Sequence, residues 1–306
     1  MDYNNDLLVV GHTAQDFIIK VSEFPKANFS TAIDDMKQLY GGAAANVAMI
    51  GSKIGLKTSL VSAVGGTFPD SDYYKAFKDS NVNIDDLIIV KDETNPTSFV
   101  LTDENGDQIS YFYWGAGKEF ANSPVPVKAI ENVKAVHLAT GDPDFNWKCG
   151  LEAKKQNKFI SFDPGQDLGT YSADRLKDVL KVCDILFGNQ YEIERILKEL
   201  NITIDQLREL GPKIVVKTLG KDGCIVFSQE GQLKIDSIYR PAVDPTGAGD
   251  SYRAGFLYCY LNGKSIEYSA KFASSVSSFV VEKLGCQTNM PTYKEALNRM
   301  NEFYKE

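Results

Sequence analysis

A mostly parallel α/β sheet with helices on both faces is the architecture this 306-residue chain predicts, and three features of the sequence carry the prediction. Short continuous apolar runs recur at Leu7-Leu8-Val9-Val10, Ala135-Val136-His137-Leu138, Phe159-Ile160-Ser161-Phe162, Asp184-Ile185-Leu186-Phe187 and Lys213-Ile214-Val215-Val216. Such runs suit strands covered on both faces, as parallel strands are. Helical stretches alternate with the later runs, which makes βαβ units. Each run also ends in polar or glycine residues, where the carboxyl ends of parallel strands face ligands. An α/β chain of this length commonly stays single, so the reading is one domain over 1–306.

Taken in order, the first run ends in a turn leading to Asp16, in the ligand-binding zone beyond a strand end. A carboxylate there can accept two hydroxyl hydrogens from a sugar diol, and an ordinary solvated aspartate fits the same spacing. From Phe17 to Tyr40 the pattern is β-like, interrupted by Pro25 and a polar loop. Gly41-Gly42 then breaks the chain. From Ala43 a helix is predicted, with Val47, Ile50, Gly51 and Ile54 at core spacing and Gly55 as its stop. Asn46 falls in its first turn, where it can cap the helix or offer donor and acceptor to a ligand lying against Gly42. Ser98-Phe99-Val100-Leu101 and Ile109-Ser110-Tyr111-Phe112-Tyr113-Trp114 flank Asp103-Glu104-Asn105-Gly106-Asp107, a hairpin. Strand alternation sends Phe112 and Trp114 to one face and Tyr111 and Tyr113 to the other, and Gln108 shares the Phe112 face.

Further on, Asn189 and Glu192 lie three apart at a helix start, a spacing that fits a cap with a first-turn acid. Thr218, Gly220 and Gly223 read as a strand-to-hairpin turn. The stretch Asp244-Pro245-Thr246-Gly247-Ala248-Gly249-Asp250-Ser251 then opens a helix marked by Ala254, Leu257, Tyr258 and Leu261. Glycines at a helix N-terminus let an anion approach unpaired N–H groups, which makes a phosphate seat of Gly247, Ala248 and Gly249. A phosphate so held would repel Asp250, so that carboxylate needs a purpose: accepting the proton of a hydroxyl that attacks the phosphate. A capped helix after a flexible turn is the plainer alternative that spacing leaves open.

Composition removes several function classes. Lys and Arg number 33 against 41 Asp and Glu, a net charge of −8, with no basic block to bind nucleic acid. The start, Met1-Asp2-Tyr3-Asn4-Asn5-Asp6, is acidic where a secretory signal is basic, and no apolar run reaches membrane-span length, so a soluble cytoplasmic protein is expected. Five scattered cysteines form no Cys-x-x-Cys pair and read as reduced core residues. The two histidines, His12 and His137, read as structural. A dinucleotide fingerprint needs a third glycine where Tyr252 stands, and no Gly-x₄-Gly-Lys-Ser/Thr loop is present. A binding protein that had lost catalysis would have no use for the charge of Asp250 with both of its glycines.

Asp244-Pro245-Thr246-Gly247-Ala248-Gly249-Asp250 resembles the C-terminal signature of the ribokinase-type (PfkB) carbohydrate kinases, and Gly41-Gly42-Ala43-Ala44-Ala45-Asn46 resembles their N-terminal one. The likeness extends through Asn189-Gln190-Tyr191-Glu192 and Thr218-Leu219-Gly220-Lys221-Asp222-Gly223, over nearly the whole chain. Within the family, Ala139-Thr140-Gly141-Asp142-Pro143, Phe162-Asp163-Pro164-Gly165-Gln166-Asp167 and Gly285-Cys286-Gln287-Thr288-Asn289 look most like the archaeal broad-specificity nucleoside kinases.

The resemblance implies a ribokinase-like fold with a small β-sheet lid built from segments near 15–40 and 96–115. It implies Asp250 as base, with Gly247, Ala248 and Gly249 at the transferring phosphoryl group. Asp16, Gly42 and Asn46 would hold the acceptor sugar, with Gln108, Phe112 and Gln166 as further acceptor contacts. Asn189, Thr218, Gly220 and Gly223 would line the ATP site, and Glu192 with Asn189 would organise Mg²⁺ mostly through water. Asp163 to Asp167 lacks the basic residue that many sugar kinases of the family carry there, which disfavours a sugar phosphate. The expected reaction is ATP-dependent phosphorylation of the 5′-hydroxyl of nucleosides such as inosine, guanosine and cytidine. The alternative is a sugar kinase of ribokinase, fructokinase or 6-phosphofructokinase type. An aromatic outer face on the lid predicts a homodimer through it.

Overall fold

The computed structural model describes residues 4–305, so Met1, Asp2 and Tyr3 of the acidic start lie outside the described residues. The chain opens with β1 (Asn5–Val10), leaves for β2 (Ala14–Val21) and β3 (Ile33–Gly41), and returns through α1 (Ala43–Ile54) to β4 (Thr58–Val61). Next come β5 (Ala63–Gly65), α2 (Asp72–Asp79) and β6 (Ile88–Val90), then the hairpin of β7 (Thr97–Thr102) and β8 (Gln108–Tyr113). Strands and helices then alternate through α3 (Val127–Glu131), β9 (Val133–Leu138), α4 (Pro143–Lys155), β10 (Phe159–Phe162), α5 (Ala173–Val182) and β11 (Ile185–Asn189). After α6 (Gln190–Leu200) and α7 (Ile204–Leu210) come β12 (Ile214–Thr218) and the hairpin of β13 (Cys224–Ser228) and β14 (Gly231–Ile235). The chain ends in α8 (Ala248–Leu261), α9 (Ile266–Val280) and α10 (Tyr293–Phe303).

The eight-stranded main sheet has the order β14-β13-β12-β11-β10-β9-β1-β4. Pairing is parallel from β4 to β12 and antiparallel only at the edge formed by β13 and β14. Strand alternation splits β1 between two cores: Leu7 and Val9 pack with Val47, Ile50 and Leu257, while Leu8 and Val10 pack with Phe145, Leu176 and Ile193. Both faces are therefore covered by helices, as parallel strands need.

A separate four-stranded sheet has the order β3-β2-β7-β8. Its register sets Leu39 beside Asp16, Asp16 beside Ser98 and Ser98 beside Phe112, a row whose side chains share one face. The opposite face carries Phe17 stacked on Phe99 at 5.4 Å, and Met36, Ile109 and Tyr111 there are exposed. All five cysteines are free and buried. Among the described residues no helix is long and apolar enough to cross a membrane.

Candidate active site

Two helix starts converge beyond the carboxyl end of β1. Gly42 precedes α1 with φ 93° and Gly247 precedes α8 with φ 76°, and neither helix has a side-chain cap. A Cβ on Gly42 would lie 2.5 Å from the Ala14 nitrogen, and one on Gly247 would lie 2.1 Å from Cys286 Sγ, so backbone angle and space both require glycine. The Ala248 amide turns back to the Pro245 carbonyl at 3.1 Å. Ala248 thus closes the turn, while among the described residues the amides of Gly247, Gly249 and Asp250 have no hydrogen-bond partner. Asp244 holds the loop in shape, accepting from the Thr246 amide at 2.9 Å and from the Gly285 amide at 2.8 Å.

Asp250, in the first turn of α8, is held from two sides. Asn46 Nδ2 donates to its Oδ2 at 2.8 Å, and Arg253 Nη1 reaches its Oδ1 at 3.2 Å. Arg253 also pairs through Nε with Asp163, whose other oxygen accepts from the Gly165 amide at 3.0 Å. Burial raises the Asp250 carboxyl above its ordinary value, Arg253 and Asn46 oppose the rise, and the Glu192 carboxylate adds to it. The result is a buried carboxylate with one oxygen on the neutral Asn46 amide and the other on Arg253. Asp16 is pushed up to about 7 by enclosure in the protein, with the charges of Asp250 and Asp244 adding to the effect.

Thr218, Gly220 and Gly223 line a cavity of about 280 Å³ together with Ala248 and Gly249, so the expected nucleotide residues and the helix start share one space. Ile238, Ala242 and Val281 give that cavity an apolar wall. Asn189 is not among its lining residues. Instead its Oδ1 accepts from the amides of Tyr191 and Glu192, both at 2.9 Å, while Glu192 Oε2 accepts from the Asn189 amide at 2.7 Å. The pair is a capping box, so Asn189 has no side-chain oxygen free for direct metal ligation. Among the described residues no group of three His, Cys, Asp or Glu side chains could hold a metal ion. The donor set still fits a cation that keeps its water. Glu192, Asp163 and Asp250 act on one another as like charges, and Arg253 is the cation that pairs with two of them.

On the acceptor side, Phe112 is half-buried with its ring centroid 5.1 Å from that of His12, and Trp114 meets the same imidazole edge-on at 4.7 Å. His12 is buried, with Nε2 3.2 Å from Asp167 Oδ2, a structural position packed beneath Phe112. Gln166 is exposed next to Asp167. Gln108 departs from expectation. It shares the Phe112 face, but four residues along the strand take it about 13 Å from the Asp16 row, where it is exposed and donates to Thr102 at 3.2 Å. Sequence reasoning did not name Arg253, Asp163, Tyr73 or Gln287 as site residues; Arg253 carried a local signal in its i,i+3 spacing from Asp250, and Asp163 and Gln287 lie in segments that resemble the nucleoside kinases.

The sequence matches the pfkB family carbohydrate kinase over residues 4–293. The chain belongs to that family. This pfkB-family kinase is 55% identical over 299 residues to a nucleoside kinase of Methanothermobacter thermautotrophicus, a match covering 98% of this chain and 96% of the relative. Its fold is similar to the crystal structure of Methanocaldococcus jannaschii nucleoside kinase, an archaeal member of the ribokinase family. The TM-score is 0.93 at 38% identity, over 99% of this chain and 100% of that one. The Burkholderia thailandensis nucleoside kinase in complex with inosine shares the fold at a TM-score of 0.89 and 20% identity, over 97% of this chain and 98% of that one. The kinase is thus ribokinase-like in fold and a phosphotransferase by family.

Proposed function

We propose that this kinase transfers the γ-phosphoryl group of ATP to the 5′-hydroxyl of nucleosides such as inosine, guanosine and cytidine. The observation that carries the reading is the position of Asp250, held between Asn46 and Arg253 at a helix start that opens on the nucleotide cavity. Asp250 accepts the proton of the attacking hydroxyl, and the amides of Gly247 and Gly249 hold charge that develops on the transferring group. Asp16 accepts from the sugar hydroxyls, with Gly42 and Asn46 as further contacts to the sugar. Thr218, Gly220 and Gly223 hold the nucleotide. Glu192, with Asn189 fixing its helix start, would hold Mg²⁺ through water, which would supply positive charge against the phosphates.

A nucleoside acceptor is supported by the 55% identity to a named nucleoside kinase and by the ring of Phe112 in the Asp16 row, a wall for a flat base. Gln166 is a further acceptor contact in this reading. Pro164 to Asp167 carries no basic residue for a sugar phosphate. In a coupled assay at matched acceptor concentration, purine nucleosides and cytidine are expected to exceed ribose, fructose and fructose 6-phosphate. A clear preference for ribose or a hexose overturns the nucleoside reading and leaves the kinase assignment intact. We also propose a cytoplasmic homodimer in which a second copy covers Phe99, Tyr111 and Met36, exposed on the outer face of the small sheet. A monomeric mass in solution overturns it.

A further inference from the structure

A chain of hydrogen bonds runs from Asp250 to the small sheet through residues far apart in sequence. Tyr73 is buried, stacked between Tyr40 at 4.3 Å and Phe77 at 4.6 Å, and its hydroxyl donates to the Gly41 carbonyl at 2.9 Å. That spends its one hydrogen, so the Tyr73 oxygen accepts from Gln287 Nε2, at 2.7 Å. The same Gln287 nitrogen donates to Asn46 Oδ1 at 2.8 Å. With its carbonyl occupied, the Asn46 amide has one orientation left, the one that sends Nδ2 to Asp250 Oδ2 at 2.8 Å. A reversed Gln287 amide would set carbonyl against carbonyl at Asn46, so the direction of every bond in the chain is fixed by the Tyr73 hydroxyl.

Gln287 is itself fixed to the helix start it serves. One residue before it, Cys286 packs against Gly247, and Gly285 donates to Asp244 at 2.8 Å. At the other end of the chain Gly41 adjoins Asp16, since a Cβ built there would lie 2.0 Å from Asp16 Oδ2. We propose that Gln287 is a positioning residue for phosphoryl transfer: by holding the Asn46 carbonyl it aims the Asn46 amide at Asp250 and keeps that carboxylate ready to accept a proton. This rests on the reading of Asp250 as base. Without Gln287 the Asn46 amide is free to turn, and its carbonyl then meets the carboxylate it had stabilised.

The test is a pH profile of kcat/KM for wild type, Gln287→Met, Asn46→Ala and the double variant, at saturating ATP. The other groups facing Asp250 are Arg253 on its own helix, Asp163 after β10, Glu192 on α6, Asp16 on β2 and the Cys286 thiol, and all are kept in these variants. Gln287→Met is expected to cut kcat about tenfold, the worth of one hydrogen bond to a charged group, and to move the acid limb to higher pH because the ionised form of Asp250 has lost support. The KM for ATP should hold. In the Asn46→Ala background the same change should alter kcat less than about twofold, since its target is gone. An acid limb that stays in place, or an equal loss in both backgrounds, overturns the proposal. If Gln287→Met unfolds, Tyr73→Phe removes a single oxygen and carries the same pH test, with the same limb shift expected and an unmoved limb counting against it. Variant and wild type are compared on whichever alcohol the enzyme accepts. Failure of nucleosides as acceptors therefore sinks the nucleoside reading and leaves this comparison standing, while wild-type turnover in Asp250→Asn would remove the base on which it rests.

Discussion

Apart from α3, which starts on Pro126, the α-helices of this kinase begin in two ways. Those at α2, α4, α5, α6, α7, α9 and α10 start on Ser71, Asp142, Ser172, Asn189, Thr203, Ser265 and Thr292, each accepting from a first-turn amide. The starts of α1 and α8 are glycines in backbone conformations that other residues reach only with strain, and no side chain fills their first turns. A side-chain cap contributes about 1 kcal/mol, so leaving it out twice in two long helices that face each other is a cost without structural return. In the function proposed above, ligand binding is the return: a self-satisfied helix end has no amide left for a ligand, whereas an open one can bind an anion. Asn46 Nδ2 donating to Asp250 Oδ2 links the two open starts.

The largest expected effect breaks the open start of α8 at its chemistry. Asp250→Asn should cut kcat by roughly 10²–10⁴-fold with both KM values nearly kept, the usual worth of a positioned base. Steady-state kinetics check it, and wild-type turnover removes Asp250 from the mechanism. Gly249→Val should follow at about 10²-fold, because a Cβ there already falls 2.4 Å from Arg253 Nη1 and would press on the residue that holds Asp250 and Asp163. An unchanged rate would show that this turn does not carry the phosphate.

How much of this was legible follows from the distances along the chain over which each feature is determined. The parallel strands announce themselves because burial on both faces forces continuous apolar runs, and the open start of α8 is written within eight residues, Asp244 to Ser251. Strands β5 and β6 have three residues each, and β14 is largely exposed, so neither pattern carries a period to read. Gln287 lies 241 residues from Asn46 and 214 from Tyr73, and no local spacing signals such a chain. Alternation gave the correct face for Gln108 but is silent about distance along the strand, which is what separates it from the Asp16 row. Asn-x-x-Glu illustrates the converse, since one spacing serves a cap and a metal organiser, and the hydrogen bonds here are those of a cap.

An intermediate effect is expected at Asp16, on the acceptor side of the comparison. Asp16→Asn should raise the KM for the nucleoside about tenfold or more and leave the KM for ATP within about twofold, because only the acceptor loses a carboxylate partner. Equal changes in both would indicate misfolding. The same residue makes a stability prediction. Its carboxyl lies near 7 in the folded protein against an ordinary 3.8, so the fold binds its proton more tightly than the unfolded chain does. The stability it contributes is full below about pH 4 and is lost as pH rises through 7. Denaturant unfolding at several pH values should show that decline, and Asp16→Asn should flatten it, leaving the part due to the raised carboxyls of Asp163 and Asp250. A slope unchanged by the substitution would place the titration elsewhere.

The smallest effect decides to which kind of start α6 belongs in function. Thr292 and Asn189 each sit in a capping box, with Glu295 and Glu192 respectively. Alanine at either position should lower unfolding free energy by about 1 kcal/mol, the worth of a cap. Thr292 caps a surface helix remote from Asp250 in the bonding network, so Thr292→Ala should leave kcat and the KM for ATP unchanged. Asn189→Ala frees the turn that carries Glu192, and Glu192 acts electrostatically on both Asp250 and Asp163. It should therefore raise the Mg²⁺ concentration for half-maximal rate several-fold beyond what the stability loss explains, since a water-bridged ion depends on where that carboxylate stands. If the two alanine variants prove kinetically identical, Asn189 is a cap and nothing more, and the Mg²⁺ assignment falls to Glu192 alone.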